Sequence, residues 1–449
     1  MEARRAGESG SQFVLLNLIT YQNIRTNTPH LATFAFTASI KVVMTASPTT
    51  IYLDHAAATP LDPEVFSVME PWLKTDFHNP GGLYAGAVKA QKLIESSRSD
   101  VAKELDARNQ EIIFVDGGTE ANNLAIQGSI AAWRKDNPHT RPHIITSAIE
   151  HSSVFELFKH LEQNCDVDYI PVDSQGLVDI KELKKLINER TVIISVAYAN
   201  GETGVIQDIK EIAKTARHYR KHNESIYPYV HTDAVQAANY LSLNVLKLGV
   251  DMMTISGSKI YGPKKIAALF VKTGTKINPL IFGGEQEFAL RPGTENVPYI
   301  AGFAKALEIS RACSETESER LYELKEFFMD KLSQSQELNK LIFNSGCDRD
   351  LFLPHIINIT IAGLSSEELV IRLDSHGIAC SMRSACTSGE EGDSHVILAM
   401  REHDESNKDE TGSLRFSMGR STSKDDLVKV LEVLQTTVSS MKATKNTYL

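Results

Sequence analysis

The 449-residue chain has no C-x-x-C pair, and its five cysteines (Cys165, Cys313, Cys347, Cys380, Cys386) are odd in number and scattered. That excludes a disulfide framework and a structural zinc site. A basic excess is also missing. Lys plus Arg number 47 against 57 Asp plus Glu, a formal charge of −10, so no overall positive field supports phosphate-backbone binding and nucleic acid is not expected as a direct partner. No stretch offers the run of about 20 apolar residues that a membrane-spanning helix needs, so no membrane partner is expected either. With 42% hydrophobic and 23% charged residues, 26 Gly and 15 Pro, the composition lies outside the collagen-like and disordered ranges. No internal repeat is present.

Acid is absent from residues 9–50, which are rich in Ser and Thr. Four basic residues (Arg4, Arg5, Arg25, Lys41) and two acids (Glu2, Glu8) fall in the first fifty positions, leaving 43 basic against 55 acidic side chains for the rest. Two readings of residues 1–50 stay open. One is an organellar transit peptide, which implies a mitochondrial location. The other is a disordered extension or an upstream start with Met44 as the true beginning, in which case the protein is cytoplasmic.

What is there is alternation. From Ile51 onward, β-branched runs at 111–115, 143–147, 167–172, 191–198, 227–232, 251–256 and 266–271 alternate with helical periodicity at 88–105, 120–135, 152–163, 179–189 and 208–221. Such alternation predicts an α/β fold, a mostly parallel sheet with helices on both faces. Near Pro298 the pattern changes. A helical segment over 298–334, with a polar interruption at Ser314–Glu319, leads into strands at 356–361 and 413–417 and helices at 365–375 and 423–440. The expectation is a large domain over 51–310, with 51–65 able to pack on a smaller α+β domain over 311–449.

Ligands of open parallel sheets collect at the carboxyl ends of the strands. Polar residues follow several strand candidates there: Asp116-Gly117-Gly118-Thr119-Glu120, Glu150-His151, Asp233-Ala234-Val235-Gln236 and Ser256-Gly257-Ser258-Lys259. Singly, each has an ordinary reading as a turn, an N-cap or a solvated amine; Thr119, for example, reads as the cap of the helix that follows. Together they put an anion cradle, an imidazole, a carboxylate and an amine on one rim. Pyridoxal phosphate (PLP) demands that set: an anion site, a lysine for its aldehyde, and an acid to keep its ring nitrogen protonated.

At this point the chain resembles the cysteine desulfurases, the NifS/IscS-like branch of the class V PLP enzymes with the PLP-dependent transferase fold. Further matching segments are Tyr52-Leu53-Asp54, Glu202-Thr203-Gly204, His231-Thr232-Asp233-Ala234, Arg291-Pro292-Gly293-Thr294-Glu295-Asn296, Ser384-Ala385-Cys386-Thr387-Ser388 and Arg415-Phe416-Ser417-Met418-Gly419-Arg420. The resemblance implies that Lys259 holds PLP and shuttles the Cα proton, that Asp233 pairs with the ring nitrogen, and that His151 stacks on the ring and acts with Lys259 and Cys386 as a catalytic residue, in proton transfer. Gln236, or Asn200, contacts the ring oxygen. Gly118, Thr119, Ser256 and Ser258 bind the phosphate, with Thr294 reaching it from the second subunit of a homodimer. Arg415 clamps the substrate carboxylate, Asn79 also contacts substrate, and Cys386 takes the sulfur of L-cysteine as a persulfide for an acceptor such as an iron–sulfur scaffold or sulfurtransferase. Cys380 is the confounding thiol, and the remaining three cysteines are expected to be small buried hydrophobes.

Three positions depart from the family pattern. Gly201 stands where a second Asn is usual, Ser258 where a His is usual, and Asp116 where a small hydroxyl is common; an acid pointing at a phosphate would repel it. A selenocysteine lyase on the same scaffold and a non-catalytic descendant are the alternative readings.

Overall fold

In the computed structural model of the protein, the described residues are 50–339, 341–382, 394–402 and 413–447. The expectations for residues 1–49, for the Ser384–Ser388 motif and for Cys386 lie outside them.

Twelve strands are seen among the described residues: β1 Ile51–Tyr52, β2 Ile112–Val115, β3 His143–Ser147, β4 Asp166–Ile170, β5 Thr191–Ser195, β6 Tyr229–Asp233, β7 Met252–Ser256, β8 Ala267–Val271, β9 Leu341–Phe343, β10 Ile356–Ile361, β11 Ile378–Ala379 and β12 Leu414–Ser417. The α-helices are α1 Pro63–Lys74, α2 Ala85–Leu105, α3 Gly118–Asp136, α4 Ser152–Leu161, α5 Ile180–Leu186, α6 Ile209–His222, α7 Val245–Leu248, α8 Val297–Ser333, α9 Ser366–Asp374, α10 His395–Arg401 and α11 Lys424–Thr447. None is long and apolar enough to cross a membrane.

Seven strands form the main sheet in the order β2-β8-β7-β6-β5-β3-β4, and only β8 runs against the rest. Every residue of β2, β3, β5, β6, β7 and β8 is buried, as a sheet covered by helices on both faces requires. Alternation divides their side chains between two cores. Phe114, Ile145, Ile194, Val230, Met253 and Phe270 join one; Ile113, Ile144, Ile193, Tyr229, Met252 and Leu269 join the other, against α3 and α4. The expected α/β class is the one observed.

A second, antiparallel sheet has the order β12-β10-β9. Its core draws on Leu369 and Leu373 of α9 and on Leu427, Val430 and Leu434 of α11. α8 runs unbroken through the expected polar interruption. Its first half (Ile300, Phe303, Leu307) packs in the main core and its second (Leu321, Phe328, Leu332) in the smaller one, so Ser314–Glu319 is the stretch between two buried faces. β1 pairs in parallel with β11, and Asp54 bridges to Ser417, which draws the segment before α1 towards β12 and carries Ala56 and Ala57 to the site described next.

One turn is strained. Glu287, Phe288 and Ala289 all have left-handed φ (47°, 59° and 58°), a conformation costly for residues other than glycine. The Glu287 carboxylate compensates by taking both ends of the Arg98 guanidinium at 2.7 Å and the Phe114 N–H at 2.8 Å. This buried fork fixes the start of the segment that continues to Arg291–Asn296.

Candidate active site

The polar residues after β2, β3, β5, β6 and β7 converge on one cavity of about 200 Å³. Its walls include Gly118, Thr119, His151, Asn200 and Asp233 on one part, and Gln236, Ser256, Ser258, Lys259 and Arg415 on the rest. Ten of the sequence-predicted residues therefore meet. Asn79 and Thr294 do not: both are exposed, and the Asn79 carboxamide oxygen accepts from the Gly81 N–H at 2.9 Å.

The anion cradle lies at the N-terminus of α3. Gly117, not Thr119, is the N-cap, which leaves the Thr119 hydroxyl to the cavity. A Cβ on Gly118 would stand 3.2 Å from Val235 Cγ2 and 3.7 Å from Ser256 Cβ, so a side chain there would close the gap between helix and strand. The Ser256 and Ser258 hydroxyls stand 3.3 Å apart on the opposite side. Asp116 does not point into this cradle. Its carboxylate pairs with Arg291 at 2.8 Å, while Glu120 takes Arg291 Nε at 3.1 Å and the Asp116 N–H at 2.9 Å. The departure at Asp116 thus serves the Arg291–Asn296 segment.

Asp233 ends β6, 7% exposed. One oxygen accepts from the Val235 N–H at 3.0 Å and the other from Asn122 Nδ2 at 2.7 Å. Asn122 also donates to Ser153 Oγ at 2.9 Å, and Ser153 in turn meets His151 Nδ1 through its backbone N–H (3.1 Å) and its hydroxyl (2.8 Å). Because Nδ1 accepts from a backbone N–H, the His151 proton sits on Nε2. Sequence reasoning passed over Asn122. It stands one turn into α3 beside Asn123, whose own amide donates to Thr119 O on the exposed side; helical periodicity alone separates the inward residue from the outward one.

Lys259 closes the 3₁₀ turn Gly257–Lys259 that follows β7, and its amine donates to the carbonyl of Ala57. Arg415 on β12 is almost wholly buried. It gives Nη2 to Asp54 and Nη1 to Gly201 O, each at 2.8 Å, and its Nε has no hydrogen-bond partner among the described residues. Asp54 is the second residue that sequence reasoning left without a role.

At Gly201 the missing side chain is space that Gln236 occupies. A Cβ there would stand 3.1 Å from Gln236 Nε2 and 3.2 Å from its Cγ. Asn200 ties two loops together: its amide donates to Ile149 O, between β3 and α4, at 2.7 Å, and its oxygen accepts from the Glu202 and Thr203 N–H groups of its own loop at 2.8 Å.

Glu150 lies wholly buried at the cavity wall, accepting from Ser147 Oγ at 2.5 Å and from the Ala197 N–H at 3.0 Å. Burial, reinforced by Asp233, pushes its carboxyl up to about 8. Between the ordinary value and about 8, the folded protein keeps a proton that the unfolded chain releases, so this group lowers stability as pH rises through that window. Glu150→Gln removes the slope. The variant is expected to match the parent near pH 4 and to exceed it by ~2–4 kcal/mol at pH 8 in urea unfolding; an advantage that does not grow with pH contradicts the assignment.

Among the other thiols, burial pushes Cys380 up to about 12, helped by Asp54, so it is a poor nucleophile at neutral pH. Cys165 is buried, but Cys313 and Cys347 are exposed. The expectation of a small buried hydrophobe therefore holds for Cys165 and fails for Cys313 and Cys347.

An amine, a shielded carboxylate and a hydroxyl cradle at the carboxyl edge of a mostly parallel sheet define a site of the PLP-dependent transferase class, and these residues fit that cofactor. The class-V aminotransferase family profile matches residues 51–430. The chain is 39% identical over 393 residues to the cysteine desulfurase IscS of Dictyoglomus turgidum, covering 87% of this chain and 95% of that protein. Among solved structures, a NifS-like protein superposes with a TM-score of 0.77 at 28% identity, covering 87% of this chain and 99% of that one. SspA in complex with cysteine superposes with a TM-score of 0.68 at 32% identity, covering 82% and 99%. The chain belongs to the class-V aminotransferase family, whose members are PLP-dependent enzymes.

Proposed function

We propose that the protein is a PLP-dependent cysteine desulfurase that converts L-cysteine to L-alanine and collects the sulfur as a persulfide on Cys386. The observation that carries this reading is the meeting of Lys259, Asp233 and Arg415 in one cavity of a chain 39% identical to a cysteine desulfurase. When bound, PLP supplies an electron sink that stabilises negative charge at the substrate Cα and so opens the Cβ–Sγ bond to cleavage. Lys259 holds the cofactor aldehyde and moves the Cα proton. Asp233, kept in place by Asn122, holds the ring nitrogen protonated, and His151 lies against the ring. Gln236 or Asn200 takes the ring oxygen contact: each amide gives one N–H to a backbone carbonyl, Ala56 O at 2.9 Å and Ile149 O at 2.7 Å respectively, and has a second to offer. Gly118, Thr119, Ser256 and Ser258 bind phosphate, and Arg415 receives the substrate carboxylate.

The Cys386 thiolate attacks Sγ. An S–S bond forms as Cβ–Sγ breaks, and the electron pair left on carbon takes a proton to give alanine. The persulfide then passes to a protein acceptor, such as an iron–sulfur scaffold or a sulfurtransferase. The proposal includes a homodimer. Phe77, Leu83 and Phe282 expose 78%, 98% and 85% of their surface, apolar area that a second subunit would cover, and Thr294 is exposed in the segment anchored by Arg291, available to the partner's phosphate. Mixing the holoenzyme with L-cysteine and a thiol reductant tests the reading. A shift of the cofactor's visible band with release of L-alanine and sulfide supports it; no sulfide overturns it.

A further inference from the structure

The cavity has a second imidazole that none of these roles uses. His395 opens α10, directly after its Ser394 N-cap, and lines the cavity with Val396. Two contacts fix its ring. It stacks on Phe155 of α4, with centroids 4.2 Å apart and planes 19° from parallel, and its Nε2 lies 2.9 Å from the backbone carbonyl of Glu150. A carbonyl only accepts, so Nε2 carries a proton, and in the neutral ring Nδ1 bears the lone pair. That nitrogen has no hydrogen-bond partner among the described residues. The two imidazoles of the site therefore differ in polarity: His151, whose Nδ1 is held by Ser153, offers an N–H, and His395 offers an acceptor.

The other polar walls have their tasks. Hydroxyls and Gly118 suit phosphate, Asp233 suits a ring nitrogen, Lys259 the aldehyde and Arg415 a carboxylate. An amino-acid substrate held by its carboxylate and α-nitrogen brings one further donor only through its side chain, and in L-cysteine that donor is the thiol S–H. Building on the desulfurase reading, we propose that His395 is a substrate-positioning residue whose Nδ1 accepts a hydrogen bond from the thiol of bound L-cysteine. The ring's stack and its bond to Glu150 set the acceptor in advance, so the contact costs little ordering. His395 moves no proton in this role; it aligns the thiol and favours side chains that carry a donor.

Two variants test it in the holoenzyme. His395→Gln keeps an amide donor for the Glu150 carbonyl but replaces the fixed ring acceptor with an unstacked carboxamide oxygen away from the Nδ1 position; His395→Phe keeps the stack on Phe155 and loses both nitrogens. Each is expected to raise KM for L-cysteine about fivefold with kcat nearly unchanged, as loss of a ground-state hydrogen bond does. The dissociation constant of L-alanine, read from the cofactor's absorbance, should stay at the parent value, because alanine has no thiol. An unchanged KM in both variants overturns the proposal, and so does an equal loss of affinity for alanine, which would make His395 a wall of the fold. A parent protein whose spectrum and products ignore L-cysteine overturns the desulfurase reading, and this proposal with it.

Discussion

Lys259→Ala is expected to lower L-cysteine turnover by about 10³-fold or more while leaving the fold and the cavity in place. The size follows from losing two tasks at once. The amine that anchors the cofactor aldehyde also moves the Cα proton, and a positioned acid–base group alone contributes about 10²–10⁴-fold. The fold should survive because backbone bonds, not the side chain, build the turn: Gly257 N–H donates to Ile266 O at 3.0 Å and Ile260 N–H to Gly257 O at 3.2 Å. Purified variant should therefore show parental far-UV circular dichroism, altered cofactor absorbance and no steady-state alanine. Residual activity near the parent's would remove Lys259 from the chemistry.

Arg415→Lys is the second large effect, expected to raise KM for L-cysteine about 100-fold or more. The guanidinium reaches Asp54 and Gly201 O together, a fork that a single ammonium cannot reproduce. Breaking a buried charged pair costs about 2–5 kcal/mol at an interface, much of it from the partner left unpaired. Asp54 would be that partner. The substrate carboxylate is shared by cysteine and alanine, so the L-alanine dissociation constant should rise in parallel, unlike the response expected at His395. Cysteine kinetics alongside an alanine absorbance titration separate the two, and a parental KM would show that Arg415 only ties β12 to Asp54.

Much of this architecture was legible in the sequence because its signals are strong ones. Near-continuous apolar runs such as Thr191–Ser195 have only one comfortable place, a sheet covered on both faces, and the helical stretches between them alternate with that period. What was not legible is short or depends on pairing across the chain. β1 and β11 have two residues each and exist only because Ile51 meets Ile378 and Tyr52 meets Ala379. α1 begins with Asp62 capping ahead of Pro63 yet carries Pro71 within it, which masks its helical pattern. The site followed the same rule. Residues that follow β2, β3, β6 and β7 were found from their position and Asn200 and Arg415 only through the family resemblance, whereas Asn122, Asp54 and His395 were given no role because each works through a partner far away in sequence: Asp233, Arg415 and the Glu150 carbonyl. Asp116 shows the converse, since its oddity in the motif resolved only when Arg291 was seen beside it.

The central claim is that sulfur leaves L-cysteine onto one particular thiol of this chain. The most direct test is peptide mass spectrometry of holoenzyme treated briefly with L-cysteine and then alkylated, performed on the parent and on Cys386→Ala. One added sulfur atom on Cys386 in the parent, and on no cysteine of a variant that keeps its cofactor band, is the predicted result. Sulfur carried instead by Cys380 or Cys347, or alanine formed at the parental rate by Cys386→Ala, would contradict it.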